Sequence, residues 1–195
     1  GTSIGINQKS KVNKLTELYQ AIEIISTQFN QPALVEEFLN GTEYTIGFIG
    51  NYLLPILEID FSKIPGNPLL RDPHIKNIEN PYISHLPWNE KAKKFASLAI
   101  KAHEALEVRD YNRMDFRERD EQLYFLEANV IPGLHPTEAD LTNMCRHAGI
   151  AHADMVVLIL SSAVKRLSEQ YPERFKKKTE LLNELAKETI SKASY

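Results

Sequence analysis

The spacing of apolar positions changes several times along the chain, and each change marks an element. Between Lys11 and Phe29, Val12, Leu15, Leu18, Tyr19, Ile22 and Ile25 recur at helical spacing, and Pro32 closes the segment. Ala33 to Leu39 then reads as a strand, Asn40-Gly41 as a turn and Glu43 to Ile49 as a second strand. Asn51 to Phe61 is a third, with Pro55 marking an edge or a bulge, so the three form an antiparallel meander. Ser62 to Trp88 loses the pattern. Prolines at 65, 68, 73, 81 and 87 break it into a long loop that holds Arg71, Asp72, His74, Lys76 and His85. Asn89 caps a helix reaching about Glu107, with Phe95, Leu98, Ala99, Ala102 and Leu106 inward. Further on, Pro136-Thr137 opens a short helix that Gly149 ends. Ala151 to Leu167 is a strongly apolar, buried helix. Pro172 to Lys192 is a charged one with Phe175, Leu181, Leu182 and Leu185 as its stripe. The pattern predicts an α+β fold, a mostly antiparallel sheet with packed helices. Residues 1–168 form the body and 169–195 a helical extension.

Between the second and third of these helical segments lies the most informative stretch: Tyr111-Asn-Arg113-Met-Asp115-Phe116, a polar break, then Tyr124-Phe-Leu-Glu127-Ala-Asn129-Val-Ile-Pro-Gly133. Side chains two apart on a strand share a face. Arg113 and Asp115 therefore point one way and Met114 and Phe116 the other. Glu127 and Asn129 share a face, with Leu126 and Ala128 behind them. The break from Arg117 to Gln122 reads as a hairpin turn, so the strands pair and the four polar side chains converge. Two carboxylates and an amide offer oxygen ligands to a hard cation, and the guanidinium beside them suits a phosphate. A solvated hairpin with one polar face is the plainer alternative. The complete alternation and the apolar backs of both strands favour the site.

Composition narrows the classes. A chain of 195 residues with 43% hydrophobic and 25% charged residues is ordinary for a globular protein. A net charge of −3 gives no electrostatic case for nucleic acid or an anionic membrane. Cys145, the single cysteine, excludes an internal disulfide and fits a reducing, cytoplasmic compartment; on its helical pattern it reads as a packed thiol. The longest apolar run, Met155 to Leu160, is too short to cross a bilayer. The six histidines have no metal-ligating helical spacing, and no serine sits in a nucleophile elbow. Without an initiator Met and opening on Gly1-Thr2-Ser3-Ile4-Gly5, the chain reads as a fragment. That opening could hold an anion through its glycines and hydroxyls, but it is neither a P-loop nor a dinucleotide fingerprint. Glu36, on the expected strand with Leu34 and Phe38 on its face, is oddly placed unless it faces a cleft. Glu43 lies across the Asn40-Gly41 turn.

Taken together, Gly1-Thr-Ser-Ile-Gly-Ile6, Val35-Glu-Glu-Phe-Leu-Asn-Gly-Thr-Glu-Tyr-Thr-Ile46, Arg113-Met-Asp115-Phe116 and Phe125-Leu-Glu-Ala-Asn-Val-Ile-Pro-Gly133 resemble the C-terminal ATP-grasp portion of the D-alanine–D-alanine ligase family, in family order over roughly residues 1–150. The resemblance implies an ATP-dependent ligase that joins a carboxylate to an amine through an acyl phosphate, with ATP and small amino-acid-type substrates as partners and a homodimer as a possible assembly. Asp115, Glu127 and Asn129 would hold Mg2+, or Mn2+ in its place. Arg113 would stabilise the acyl phosphate and the tetrahedral intermediate, and Gly133 would offer its N–H to the reacting carboxylate. Glu36, Glu37, Phe38 and Leu39 would line the adenine pocket, Glu43 would take the ribose hydroxyls, and Thr2 and Ser3 would close over the γ-phosphate. The N-terminal substrate domain of the family would be missing, and the fragment alone inactive.

Two departures stand out. Leu69 to Trp88 lacks the family's aromatic segment with its phosphate-neutralising lysine, although Arg71, His74, Lys76 and His85 could substitute. Glu138 stands by direct count where the family offers a serine to the second substrate's carboxylate. Both bear on substrate choice more than on ATP use. The other reading is a non-catalytic, ATP-grasp-like domain that binds nucleotide or acts as a scaffold. The set Arg113, Asp115, Glu127 and Asn129 argues against it, since a scaffold has no need to gather such groups.

Overall fold

The computed structural model describes residues 8–66, 68, 70 and 83–192. Its frame is an antiparallel sheet of six strands: β1 (Glu43–Ile49), β2 (Tyr52–Leu53), β3 (Leu57–Ile59), β4 (Ile83–His85), β5 (Tyr111–Arg119) and β6 (Gln122–Asn129). They run in the order β4-β3-β1-β5-β6, with β2 pairing β1 off that path. Among the described residues the helices are α1 (Leu15–Phe29), α2 (Glu90–Ala105), α3 (Asp140–His147), α4 (His152–Gln170) and α5 (Pro172–Lys192). This is the α+β, mostly antiparallel arrangement the pattern predicts. No single helix among the described residues is long and apolar enough to cross a membrane.

Strand alternation divides the core in two. Tyr44, Ile46 and Phe48 of β1 face the same side as Met114 and Phe116 of β5 and bury against Ala92, Phe95 and Ala99 of α2. The other face of the sheet meets Leu141, Met144 and Cys145 of α3 and Met155 and Leu158 of α4. α3 lies close: a Cβ at Gly47 of β1 would stand 2.7 Å from Leu141 Cδ1 and from Met144 Sδ. Asn89 caps α2 by accepting from the Ala92 N–H at 3.0 Å, as expected. Leu98 and Leu106, expected inward, are exposed; Ala92 and Ala96 take the inward positions. Small residues on that face let α2 sit flat on the sheet. Cys145 is fully buried, and burial pushes its thiol up to about 12.

Several expectations need correction. The strand expected over Ala33 to Leu39 does not form. Residues 32–40 join no ladder, and Leu34 (80% exposed) and Val35 lie open to solvent, so β-propensity finds no partner backbone. Gly41 is not a hairpin turn. It lets the chain pass against β5: a Cβ there would fall 1.9 Å from the Glu118 carbonyl oxygen, beside the Glu118 N–H bond to Thr42 O at 3.0 Å. The strand expected over Asn51 to Phe61 divides at Pro55 into β2 and β3, both paired to β1. Between the pairs Phe48↔Leu53 and Thr45↔Leu57, two residues of β1 face three of the Pro55 strand, which is a bulge. The proline-rich segment also ends in a strand, β4, paired to β3 from Leu57↔His85 to Ile59↔Ile83. Arg71, Asp72, His74 and Lys76 lie outside the described residues, as do Thr2 and Ser3. α1 starts at Leu15, and none of its residues is buried. α3 starts at Asp140, with 136–138 a turn before it, and ends where Gly149 adopts φ +78°.

Candidate functional site

β5 alternates along its whole length. Met114 and Phe116 fill the α2 side of the core, which leaves Arg113, Asp115, Arg117 and Arg119 in a row on the opposite face. The turn into β6 is only Asp120-Glu121, with φ +51° and +59°, the left-handed pair that matches strand twist in a two-residue hairpin. It is tighter than the break expected over Arg117 to Gln122, so the row extends two side chains further. The register then sets Arg113 opposite Asn129 and Asp115 opposite Glu127. Beyond Asp115 the register shifts: Phe116 pairs with Phe125, leaving Leu126 as an extra residue. Leu126, expected behind the site, is thrown outward and is 44% exposed, while Ala128 does pack on the core.

The four convergent side chains meet, and two more join them. Arg113 grips Asp115 with two parallel bonds, Nε to Oδ1 at 3.1 Å and Nη2 to Oδ2 at 2.7 Å. Its Nη1 reaches Asp140 Oδ2, at the start of α3, at 3.1 Å. Asn129 Nδ2 donates to Asp115 Oδ2 at 3.1 Å and to Glu127 Oε1 at 3.0 Å. The Thr45 hydroxyl of β1 donates to Asp115 Oδ1 at 3.0 Å. The side chains of Asp115 and Asp140 are each only 9% exposed and that of Arg113 14%, whereas Glu127 opens to solvent. No group of three or more carboxylate, histidine or cysteine ligands forms among the described residues. The oxygen donors available to a cation here are two carboxylates and one amide.

The same row governs the segment before β1. Arg117 is buried. Its Nη1 donates to Leu39 O at 2.9 Å and its Nη2 lies 3.4 Å from Glu43 Oε2. The guanidinium rests 4.6 Å from the Phe61 ring centroid and 5.5 Å from that of Phe38. Burial pulls its pKa below the ordinary arginine value, and the Glu43 carboxylate pushes back. Arg119 bonds Tyr124 Oη and Glu37 Oε1, and those two partners raise its pKa in that order. Glu37, Phe38 and Leu39 are thus gathered by β5 through side chains, without a strand, and set beside Glu43 at the start of β1. Beside them opens a cleft of ≈ 300 Å³ lined by Asn40, Gly41, Thr42, Asp60, Phe61 and Arg117. Glu36 is exposed and lies off any strand.

Gly133 is exposed, and a Cβ on it would meet only Ala139 at an ordinary 3.8 Å, so nothing steric demands glycine there. The loop it enters is tethered: Arg146 Nη2 donates to Pro136 O at 2.8 Å, and His152 Nε2 lies 2.9 Å from Leu134 O. Glu138 projects into solvent with its backbone N–H 3.3 Å from His135 Nδ1. Sequence reasoning missed Asp140, Thr45, Arg117 and Arg119 as members of the site. The last two were available from the i, i+2 pattern, had the strand been carried to Arg119. The first two come from other elements and left no local signal.

Residues 1–161 match the family described as D-ala D-ala ligase C-terminus. Among solved structures, the fold is similar to the D-alanine–D-alanine ligase of Bacillus anthracis complexed with ATP, at TM-score 0.66 and 18% identity over 82% of this chain and 50% of that one. It is also similar to the D-alanine–D-alanine ligase of Coxiella burnetii, at TM-score 0.62 and 18% identity over 87% of this chain and 45% of that one. The chain therefore spans about half the length of the solved structures it matches.

Proposed function

We propose, since the chain belongs to the family of D-ala D-ala ligase C-terminal domains, that it supplies the nucleotide- and metal-holding part of an ATP-dependent carboxylate–amine ligase. The observation that carries the reading is the β5–β6 register, which gathers Arg113, Asp115, Glu127 and Asn129 on the face away from α2. The donor set fits a hard cation: Asp115 and Glu127 give carboxylate oxygens, and Asn129 already spans both, so turning its amide over would present Oδ1 in place of Nδ2. Magnesium, or manganese in its place, would neutralise charge on the β- and γ-phosphates of ATP.

The chain's own residues divide the remaining work. Glu37, Phe38 and Leu39, with Glu36 beside them, line the adenine pocket, and Glu43, held by Arg117, accepts from the ribose hydroxyls. Thr2 and Ser3 close over the γ-phosphate. Arg113 stabilises the charge of the phosphoryl group and of the acyl phosphate, and the Gly133 N–H steadies the reacting carboxylate. A carboxylate oxygen of the first substrate attacks the γ-phosphorus and ADP leaves. The lone pair of an amine then attacks the acyl carbon. Phosphate departs with the electrons of the C–O bond, and the surplus proton on nitrogen passes to phosphate or solvent. Neither step requires a protein nucleophile; positioning and charge carry both. Small amino-acid-type substrates, a cytoplasmic setting and a homodimer belong to the same proposal.

The test uses the full-length protein: ADP release with magnesium-ATP and a panel of amino acids that includes D-alanine. Amino-acid-dependent turnover that Asp115→Asn abolishes, with the fold intact by circular dichroism, supports the ligase, and the responding pair names its substrates. One observation favours the second reading, a non-catalytic nucleotide-binding domain: Asp115 is fully engaged by Arg113, Thr45 and Asn129. Binding of magnesium-ATP without turnover on any pair would select that reading.

A further inference from the structure

Asp115 has four acceptor directions, two on each oxygen, and four donors take them. Oδ1 receives Arg113 Nε and the Thr45 hydroxyl; Oδ2 receives Arg113 Nη2 and Asn129 Nδ2. A cation can bind this carboxylate only if a donor leaves. Thr45 and Asn129 are neutral and tolerate a cation nearby. Arg113 does not, because a guanidinium and a divalent ion on the same carboxylate oxygens repel. Turning the Asn129 amide over opens one direction on Oδ2, but Arg113 Nη2 still holds that oxygen, so the repulsion makes Arg113 the donor that must withdraw.

A largely buried guanidinium that loses its carboxylate is costly unless another awaits it. Asp140 is that second carboxylate, already 3.1 Å from Nη1 on the side away from Asp115. Its position is fixed by the core rather than by the loop before it. The next residue, Leu141, is fully buried and lies where a Cβ on Gly47 would collide with it. We propose that Asp140 is the second seat of Arg113: when a divalent cation takes Asp115, the guanidinium gives up its two bonds there and stays on Asp140, with the released edge turned to the phosphoryl group. Asp140 is a positioning residue, acting through Arg113. The inference rests on the ligase reading above and adds to it the order of events at the carboxylate.

The experiment is a double-mutant cycle on Mn2+ binding, followed by loss of the free-ion electron paramagnetic resonance signal, in the full-length protein with a non-hydrolysable ATP analogue. Asp140→Asn weakens Mn2+ about tenfold, the usual scale for a group supporting a metal ligand. Arg113→Met frees Asp115 and does not weaken binding, and adding Asp140→Asn to it costs nothing further. Asp140→Glu, which keeps the charge, stays close to wild type. Equal weakening by Asp140→Asn in both backgrounds would mean that its charge acts on the cation directly, and the exchange is overturned. No weakening in the wild-type background overturns it as well. A measurement on the wild type needs no variant to fold: the Arg113 Nε–H resonance, in protein labelled at arginine, shifts when magnesium and the analogue are added, and a resonance that stays in place refutes the exchange. Absence of Mn2+ uptake by the wild type overturns the magnesium reading itself and the inference with it.

Discussion

Arg117→Met isolates what the buried end of the polar row contributes. The methionine keeps an aliphatic stem but removes the guanidinium from Glu43, from Leu39 O and from the rings of Phe38 and Phe61. Glu43, 8% exposed, is left without that partner. Breaking a buried ion pair from one side costs about 3–5 kcal/mol. The glutamate has an escape that caps its share: it can take up a proton. From an ordinary carboxylate pKa of about 4.3, protonation at pH 7 costs roughly 3.7 kcal/mol, and at pH 5 only about 1 kcal/mol. The Leu39 carbonyl is partly buried, and water replaces part of the lost bond, at a cost of about 1 kcal/mol. The expected destabilisation is about 3–4 kcal/mol at pH 7, falling to about 2 kcal/mol at pH 5, read from urea unfolding of wild type and variant at both values. The sign follows from proton uptake: Glu43 without the guanidinium becomes cheaper to accommodate as pH falls. Adding Glu43→Gln to Arg117→Met restores most of the loss at pH 7. A loss below about 1 kcal/mol at pH 7, or one that does not shrink towards pH 5, would show that the pair does not hold the segment before β1.

Other expectations follow from single contacts. Gly41→Ala places a Cβ 1.9 Å from the Glu118 carbonyl oxygen, backbone against which nothing flexible can yield; the variant loses more than about 3 kcal/mol or fails to fold, and a melting temperature within a few degrees of wild type refutes the close approach. His85 and His147 stack at 3.5 Å, and burial, then the neighbouring ring, pulls the His85 pKa down to about 4. The unfolded chain binds this proton more readily, so stability rises from about pH 4 to about 6.5 and levels off above. Discounted for its partial exposure, His85 accounts for about 1–2 kcal/mol of that rise. His85→Phe should flatten the rise in thermal melts, and an unchanged profile would assign it elsewhere. Cys145, buried and with its thiol held up to about 12, should resist thiol reagents until the protein is unfolded. Labelling at the same rate as free cysteine under native conditions would contradict its place between sheet and α3.

What can be read from the sequence follows how local each determinant is. The hairpin face of Arg113, Asp115, Glu127 and Asn129 depends only on strand period and a polar turn, so it is legible in the residue pattern alone. So is the Asn89 cap. The segment 33–39 misleads because its residue types favour a strand while its geometry is set at a distance, by Arg117, Arg119 and the backbone of Glu118. Asp140 lies 27 residues from Arg113 and joins it only because α3 docks on Gly47. The bulge at Leu126 depends on two strands jointly, and one strand's pattern does not contain it.

Along β5 the hydrophobic support and the polar row are the same nine residues, taken alternately. Met114 and Phe116 stand on either side of Asp115 with their side chains on the α2 face. Moving the backbone there by a fraction of an ångström moves the carboxylate with it. A functional screen of this chain would therefore recover substitutions at Met114, Phe116 or their neighbour Phe95 alongside those at Asp115, although none of the three touches a ligand. Sorting the two kinds takes a second readout, binding of the metal and nucleotide measured beside the melting temperature, which the α2-side substitutions lower by loosening the core.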